Sequence, residues 1–298
     1  MKRVLTALVL IPLVLLAVFR APDWLFTALV GVVAVLATIE YLQIAAKYGY
    51  KVYPVVTCGA VFVLFVAAGF AKFSLNLPPG PEGDTAVDVA TVLAFLGLII
   101  VPSLLLLLAM RSTDLRTALP GAALSYFAVP YVGASLLCLA VLRWVPGGWF
   151  YVLFTFFAVW GGDTAAYYVG RSMGKTKFAP RISPKKTWEG AIASVVAAVI
   201  VGVVFTAYAL KIQDLVGVAH PTDINKPPIW VPALIALVIN VAAQLGDLFE
   251  SLIKRGADVK DSGTMLPGHG GILDRIDALL FAAPVALAMF ALFADRFR

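Results

Sequence analysis

Apolar runs of bilayer-spanning length recur along this chain, and no other feature limits its folding so strongly. A helix needs about 20 mainly apolar residues to cross the hydrocarbon core of a bilayer. Such runs fall near 4–19, 24–46, 52–71, 87–110, 117–142, 149–170, 188–210, 229–252 and 276–294. The residues are 61% hydrophobic and 13% charged; soluble domains are about 45–50% apolar. A soluble domain of 298 residues could not hide that much apolar surface. The sequence therefore predicts an all-α polytopic membrane protein of about nine transmembrane helices.

The first run follows Lys2 and Arg3 and imitates a signal peptide. Bulky Val18-Phe19-Arg20 stands where small residues would mark cleavage, so the run is expected to stay as a first helix. Pro120 and Pro130 interrupt the fifth run. Prolines are tolerated within membranes where neighbouring groups satisfy the freed carbonyls. Cys58 and Cys138 lie in apolar runs and read as small buried side chains. With two histidines in the chain, a zinc site has too few ligands.

Charge sets the orientation. The net charge of +6 does not point to nucleic acid, because the basic residues sit in short loops between runs. Sixteen of the 23 Lys and Arg fall on the N-terminal side of the expected helices. By the positive-inside rule that side is cytoplasmic. Residues 1–145 are poor in polar groups and read as scaffold. Residues 146–298 read as a catalytic core with cytoplasmic loops 171–187 and 253–275.

Polar residues inside spans are costly and mark function or helix pairing. Asp163 follows Gly161-Gly162 inside the sixth run. Asn240, Gln244, Asp247 and Ser251 repeat at helical spacing and form one stripe. Asn240 and Gln244 read better as interhelical hydrogen bonds; Asp163 and Asp247 read better as cation ligands. The loop after the sixth run carries Arg171, Lys175, Lys177, Arg181, Lys185 and Lys186. Within it Ser183-Pro184 looks like a helix start, with Ser183 as cap and proline at the first helical position. That would place Lys185 and Lys186 in a first turn, where a bound phosphate would offset their unfavourable position.

The stretch Ser251–Asp277 crowds cations, carboxylates and a glycine-rich turn at a membrane edge. Asp274 and Asp277 share a face at the start of the last helix. Carboxylates suit magnesium, and a glycine-rich turn can aim amides at phosphate. His269 either donates to a phosphate or caps the turn.

This stretch resembles the signature of the phosphatidate cytidylyltransferases. The resemblance is carried by Ser251, Ile253, Lys254, Arg255, Lys260, Asp261, Gly263, Leu266, Pro267, His269, Gly270, Gly271, Ile272, Asp274, Arg275, Ile276 and Asp277. The segment Ser183–Gly190 and Gly162-Asp163 also look like family features. The likeness is specific over about 160–280 and general over 1–150.

The resemblance implies transfer of the cytidylyl group of CTP to phosphatidate, dependent on Mg2+, with pyrophosphate released. It implies that Asp247, Asp274 and Asp277, with Asp163, hold the metal ion or a pair of ions. Lys254, Arg255 and Arg275 would neutralise triphosphate oxygens. Gly270 and Gly271 would give close amide contacts. Ser183, Lys185 and Lys186, with Ser251, Lys260, Asp261 and His269, would bind substrate. It also implies a homodimer; the short loops and compact length point to a bacterial plasma membrane, and the charge bias puts the site on the cytoplasmic side. Two other readings compete: a CTP-dependent polyprenol kinase-like transferase, and an ion-coupled transporter using the intramembrane carboxylates.

Overall fold

The computed structural model describes residues 2–75, 97, 99–217, 227–265 and 270–297. Most of the loop expected around 72–86, half of that expected around 211–228 with His220, the start of the fourth run, and Leu266, Pro267 and His269 lie outside the described residues, while residues 211–216 continue a helix. The described elements are α1 (Lys2–Arg20), α2 (Asp23–Ala46), α3 (Pro54–Leu75), α4 (Ile99–Ala109), α5 (Leu115–Ala128), α6 (Ser135–Trp144) and α7 (Gly148–Met173). After them come the strands β1 (Lys177–Ala179) and β2 (Ser183–Thr187), then α8 (Trp188–Val216), α9 (Trp230–Gly256) and α10 (Leu273–Leu292).

The chain is a helical membrane protein. Among the described residues five helical stretches are long and apolar enough to cross a bilayer: α2, Leu115–Trp144, α8, α9 and α10. Shorter apolar helices span Ile11–Arg20, Pro54–Phe70 and Ile99–Ala109. α7 has 26 residues but is not in the first group, because Gly161, Gly162, Asp163 and Arg171 interrupt its apolar run. Pro130 does not break its helix. Val129–Ala134 widens into a π-helical turn, and Tyr126 O accepts from the Val129 amide instead of from the N–H that proline lacks.

Contacts divide the chain into two compact units, each drawn from both halves of the sequence. One comprises residues 1–21, 138–255 and 275–298; the other comprises 22–137 and 256–274. In the first, Phe150 stacks on Phe205 at 5.3 Å, and Phe154 meets Phe290 edge-on at 5.3 Å, both deeply buried. Aromatic pairs of this kind contribute beyond area burial. Gly202 lets α8 come close to its neighbours. A Cβ there would stand 2.8 Å from Ala236 Cβ and 2.9 Å from Phe154 Cζ.

In the second unit α2 lies against α3, where Gly31 admits the Phe65 ring at 3.1 Å from its would-be Cβ. Tyr41 donates to Leu124 O at 3.1 Å, and the Tyr53 amide donates to Ser125 Oγ at 3.0 Å. Those bonds tie α2 and the entry of α3 to α5.

One expectation is overturned. Ser183 does not start a helix. Ser183–Thr187 is β2, paired antiparallel with β1 in the register Lys177↔Thr187 and Ala179↔Ser183. The cap of α8 is Thr187, whose Oγ1 accepts from Gly190 N at 3.2 Å. The first turn then carries Glu189 rather than two lysines, which suits the positive helix end. Glu189 also accepts from Thr176 N at 3.1 Å, fastening the hairpin to α8.

Replacing Gly202 by Val should overpack the α7–α8–α9 contact and destabilise the protein by about 1–3 kcal/mol. Thermal unfolding in detergent should show a lowered midpoint, while Ile200→Val, on the exposed face of α8, should leave it near wild type.

Candidate active site

The hairpin and the facing ends of α7, α8 and α9 enclose a cleft of about 600 Å³ within the first unit. Its cations are Arg171, Lys177, Lys185 and Lys186, and its carboxylates are Asp163 and Asp247. Tyr167, Phe178 and Gln244 also line it. β2 explains how the lysines reach it: the strand carries Lys185 and Lys186 along the cleft edge, and Thr187 ends the strand as the helix cap. Ser183 lies at the other end of β2, opposite Ala179.

Lys186 Nζ meets Asp247 Oδ2 at 2.7 Å, with both side chains partly open to solvent. Asp163, Asp247 and Asp277 lie within electrostatic reach of one another. Asp277 is brought there by α10, which approaches α9 at Gly246: a Cβ on Gly246 would lie 2.7 Å from Asp277 O. A small residue next to Asp247 thus sets the distance between two carboxylate-bearing helices.

Beneath the cleft lies a buried polar network. Ser194 Oγ donates to Asn240 Oδ1 at 3.1 Å, and Gln244 Nε2 donates to the same oxygen at 2.8 Å. Asn240 Nδ2 donates to Ala158 O at 3.2 Å, and Gln244 Nε2 also reaches Ala191 O at 3.2 Å. A Cβ on Gly162 would overlap Asn240 Nδ2. The interhelical reading of Asn240 and Gln244 holds, and Gly162, just before Asp163, makes room for it.

The signature stretch is distributed differently from its expected roles. Lys254 sits on α9 with its ammonium 2.6 Å from Glu250 Oε2, in a pair whose side chains are 11% and 1% exposed. Ser251 is half-buried on the same helix, while Arg255, Lys260, Asp261 and Arg275 are exposed. In the second unit, Asp274 Oδ2 accepts from Ser262 N and Gly271 N, both at 2.9 Å. The Gly271 amide therefore closes the loop on itself rather than standing open for phosphate. Gly270 has φ +82°, and a Cβ there would fall 2.7 Å from Asp274 Oδ2, so glycine is required.

Among the described residues no group of three or more His, Cys, Asp or Glu side chains is close enough to hold a metal ion alone. The expected set of four carboxylates is not gathered into one cage. Mg2+ needs less, since it commonly binds one or two carboxylates plus substrate phosphates. The oxygen donors of Asp163, Asp247 and Asp277 fit that requirement.

Two groups of residues escaped the sequence reading. Arg171 and Lys177 line the cleft, although they look like ordinary loop cations in the sequence. Glu40, buried on α2 within the supposed scaffold, accepts hydrogen bonds from Ser262 and Leu273. Its sole signal is an acid inside a long apolar run.

A polar cleft of four cations and two carboxylates in a helical membrane protein offers charge complementary to phosphate groups. The cytidylyltransferase family profile matches residues 1–293, and the chain belongs to that family. It is 43% identical over 166 residues to the phosphatidate cytidylyltransferase of Brucella suis biovar 1 (strain 1330), a match covering 55% of this chain and 56% of the relative. It is 43% identical over 143 residues to the enzyme of that name from Bacillus subtilis (strain 168), covering 48% of each chain. Those matches span about half the length of the relatives. The like-named protein of Haemophilus influenzae (strain ATCC 51907 / DSM 11121 / KW20 / Rd) is 33% identical over 290 residues, 95% of this chain and 96% of its own.

Asn240→Ala should leave the buried Ser194 hydroxyl without its acceptor, remove one of the bonds made by Gln244, and destabilise the protein by about 1–3 kcal/mol. The check is the unfolding midpoint of purified protein. Val241→Ala on the exposed face of the same helix serves as the control.

Proposed function

We propose that this protein transfers the cytidylyl group of CTP to phosphatidate, giving CDP-diacylglycerol and pyrophosphate for phospholipid synthesis. The observation that carries the reading is the cleft itself: Arg171, Lys177, Lys185 and Lys186 face Asp163 and Asp247, in a chain of the cytidylyltransferase family. The relatives' shared name supplies the acceptor.

A phosphate oxygen of phosphatidate attacks the α-phosphorus of CTP. The new P–O bond forms as the bond to the β-phosphate oxygen breaks, and pyrophosphate leaves with the bond's electrons. Phosphate monoesters are largely dianionic at neutral pH, so the nucleophile needs no strong base. The harder task is to bring two polyanions together and to stabilise the departing charge, which is work for positioning and electrostatics.

Lys185 and Lys186 on the hairpin hold phosphate oxygens on one side of the cleft, with Arg171 and Lys177 adding charge on the same polar wall. Lys186 exchanges its contact with Asp247 for substrate phosphate, which frees Asp247. One or two of the carboxylates Asp247, Asp277 and Asp163 would hold Mg2+, alone or beside a second cation, and the ion would supply charge neutralisation to the triphosphate. Lys254 keeps its partner Glu250 and shapes α9 rather than binding CTP.

The charge bias of the loops supports a cleft facing the cytoplasm, where CTP is found. The bacterial relatives support a bacterial plasma membrane. Homodimer formation belongs to the same reading, and the mass of the detergent-solubilised protein tests it.

The decisive assay incubates purified protein with labelled CTP, phosphatidate and Mg2+. CDP-lipid should form only when all three are present, and chelation of the metal should abolish it. Asp247→Asn and Asp277→Asn should each lower turnover by at least about 100-fold while the protein still inserts and purifies. Wild-type turnover by both variants would remove these carboxylates from the reaction. Phosphorylation of a polyprenol without CDP-lipid would favour the kinase, and ion flux without CTP the transporter.

A further inference from the structure

Glu40 is 1% exposed, on a helix whose other residues are almost all apolar. Its Oε2 accepts from Ser262 Oγ at 3.0 Å and from Leu273 N at 2.8 Å, residues 222 and 233 positions further along the chain. Ser262 Oγ accepts in turn from Asp274 N at 3.2 Å. The amides of Ser262 and Gly271 both donate to Asp274 Oδ2 at 2.9 Å. One continuous set of bonds thus runs from Glu40 through Ser262 to Asp274 and back to Gly271.

The surroundings are shaped for this carboxylate. A Cβ on Gly263 would overlap Glu40 Oε1, and one on Gly271 would overlap both Glu40 Oε2 and Ser262 Oγ. Leu273 opens α10, so its amide is one of the donors that a helix start leaves unsatisfied, and a carboxylate suits that end. Charge-assisted bonds of this kind are roughly twice as strong as neutral ones.

We infer that Glu40 is a positioning residue: it locks Ser262 and the loop residues bonded to it onto the start of α10, and so fixes the helix that carries Asp277 for the reaction. The residue touches no reacting atom and acts through Ser262 and the start of α10. The lock follows from the geometry alone; its catalytic consequence rests on the cytidylyl-transfer reading.

Three measurements on the full-length protein in detergent test the inference: thermal unfolding, hydrogen exchange of peptides from 256–274, and turnover per folded molecule with CTP, phosphatidate and Mg2+. In Glu40→Ala, exchange across 256–274 should rise while peptides from α7 to α9 stay protected. Its kcat should fall about 100-fold, as expected when the helix that carries a catalytic carboxylate, Asp277, is misplaced by an ångström or so. The KM for CTP should stay within about threefold of wild type, since the fault lies in positioning rather than in ground-state binding. Glu40→Gln keeps one oxygen to accept both bonds and should retain protection and at least about a tenth of the turnover. Ser262→Ala should raise exchange and lower kcat in the same way, and it decides the question if Glu40→Ala does not fold.

Wild-type exchange across 256–274 in a folded Glu40→Ala or Ser262→Ala protein overturns the lock. A lowered unfolding midpoint with unchanged turnover per folded molecule reduces Glu40 to a stabilising residue and also overturns the proposal. If the wild-type protein makes no CDP-lipid, the functional reading fails, and the exchange measurement still decides the lock by itself.

Discussion

A bilayer offers no water to its interior, so every polar group of a spanning chain must find a partner within the protein. Much of this structure follows from that constraint. Hydroxyls inside the helices turn back on carbonyls of the preceding turn: Thr38 on Ala34 O at 2.8 Å, Thr57 on Tyr53 O at 2.9 Å, Thr155 on Tyr151 O at 2.8 Å and Thr206 on Gly202 O at 2.8 Å. Helix ends pose the larger demand, because their last carbonyls lack helical partners. Arg143, 6% exposed, donates from Nε to Val18 O at 2.9 Å and from a terminal nitrogen to Ala21 O at 3.1 Å. Arg20 donates to Val216 O at 2.7 Å. Two arginines on the side expected to be poor in positive charge are thus accounted for as helix caps.

The same constraint explains why the helices were legible in the sequence. Spanning helices must be long, apolar and internally bonded, so their runs stand out, and α2, α8, α9 and α10 begin close to where the sequence puts them, although α8 and α9 run on past the expected ends to Val216 and Gly256. Asn240 and Gln244 were legible for a related reason: at helical spacing in an apolar run they had to face another helix. The hairpin was not legible. Ser183-Pro184 and Thr187-Trp188-Glu189-Gly190 are both good local helix starts, and local propensity does not choose between them. The choice is made by partners outside the segment, through the pairing of β2 with β1 and the bond from Trp188 N to Thr176 O at 2.9 Å.

Glu40 was hidden by distance. Nothing near it in the sequence needs an acid, and its partners lie more than two hundred residues away. In the signature stretch Asp274 and Gly271 stand out as chemistry-bearing residue types, and each spends polar atoms on the other to shape the loop. A motif shows that its residues matter; the hydrogen bonds show which of them are occupied in holding the rest.

Burial then sorts groups that look alike. Lys186 and Lys254 are both lysines paired with a carboxylate at under 3 Å. The first pair is partly open, with side chains 25% and 35% exposed, and water screens it. Such a pair is held weakly enough for an incoming phosphate to replace the carboxylate, and the carboxylate is then available to a cation. The second pair is nearly closed, with Glu250 1% exposed. Separating it would leave a buried charge without its partner, which costs far more than the pair contributes when intact. One pair is therefore suited to open on each turnover and the other to stay shut. The distinction favours Lys186 over Lys254 as the lysine free to meet a substrate, although both lie in segments that look equally catalytic in the sequence.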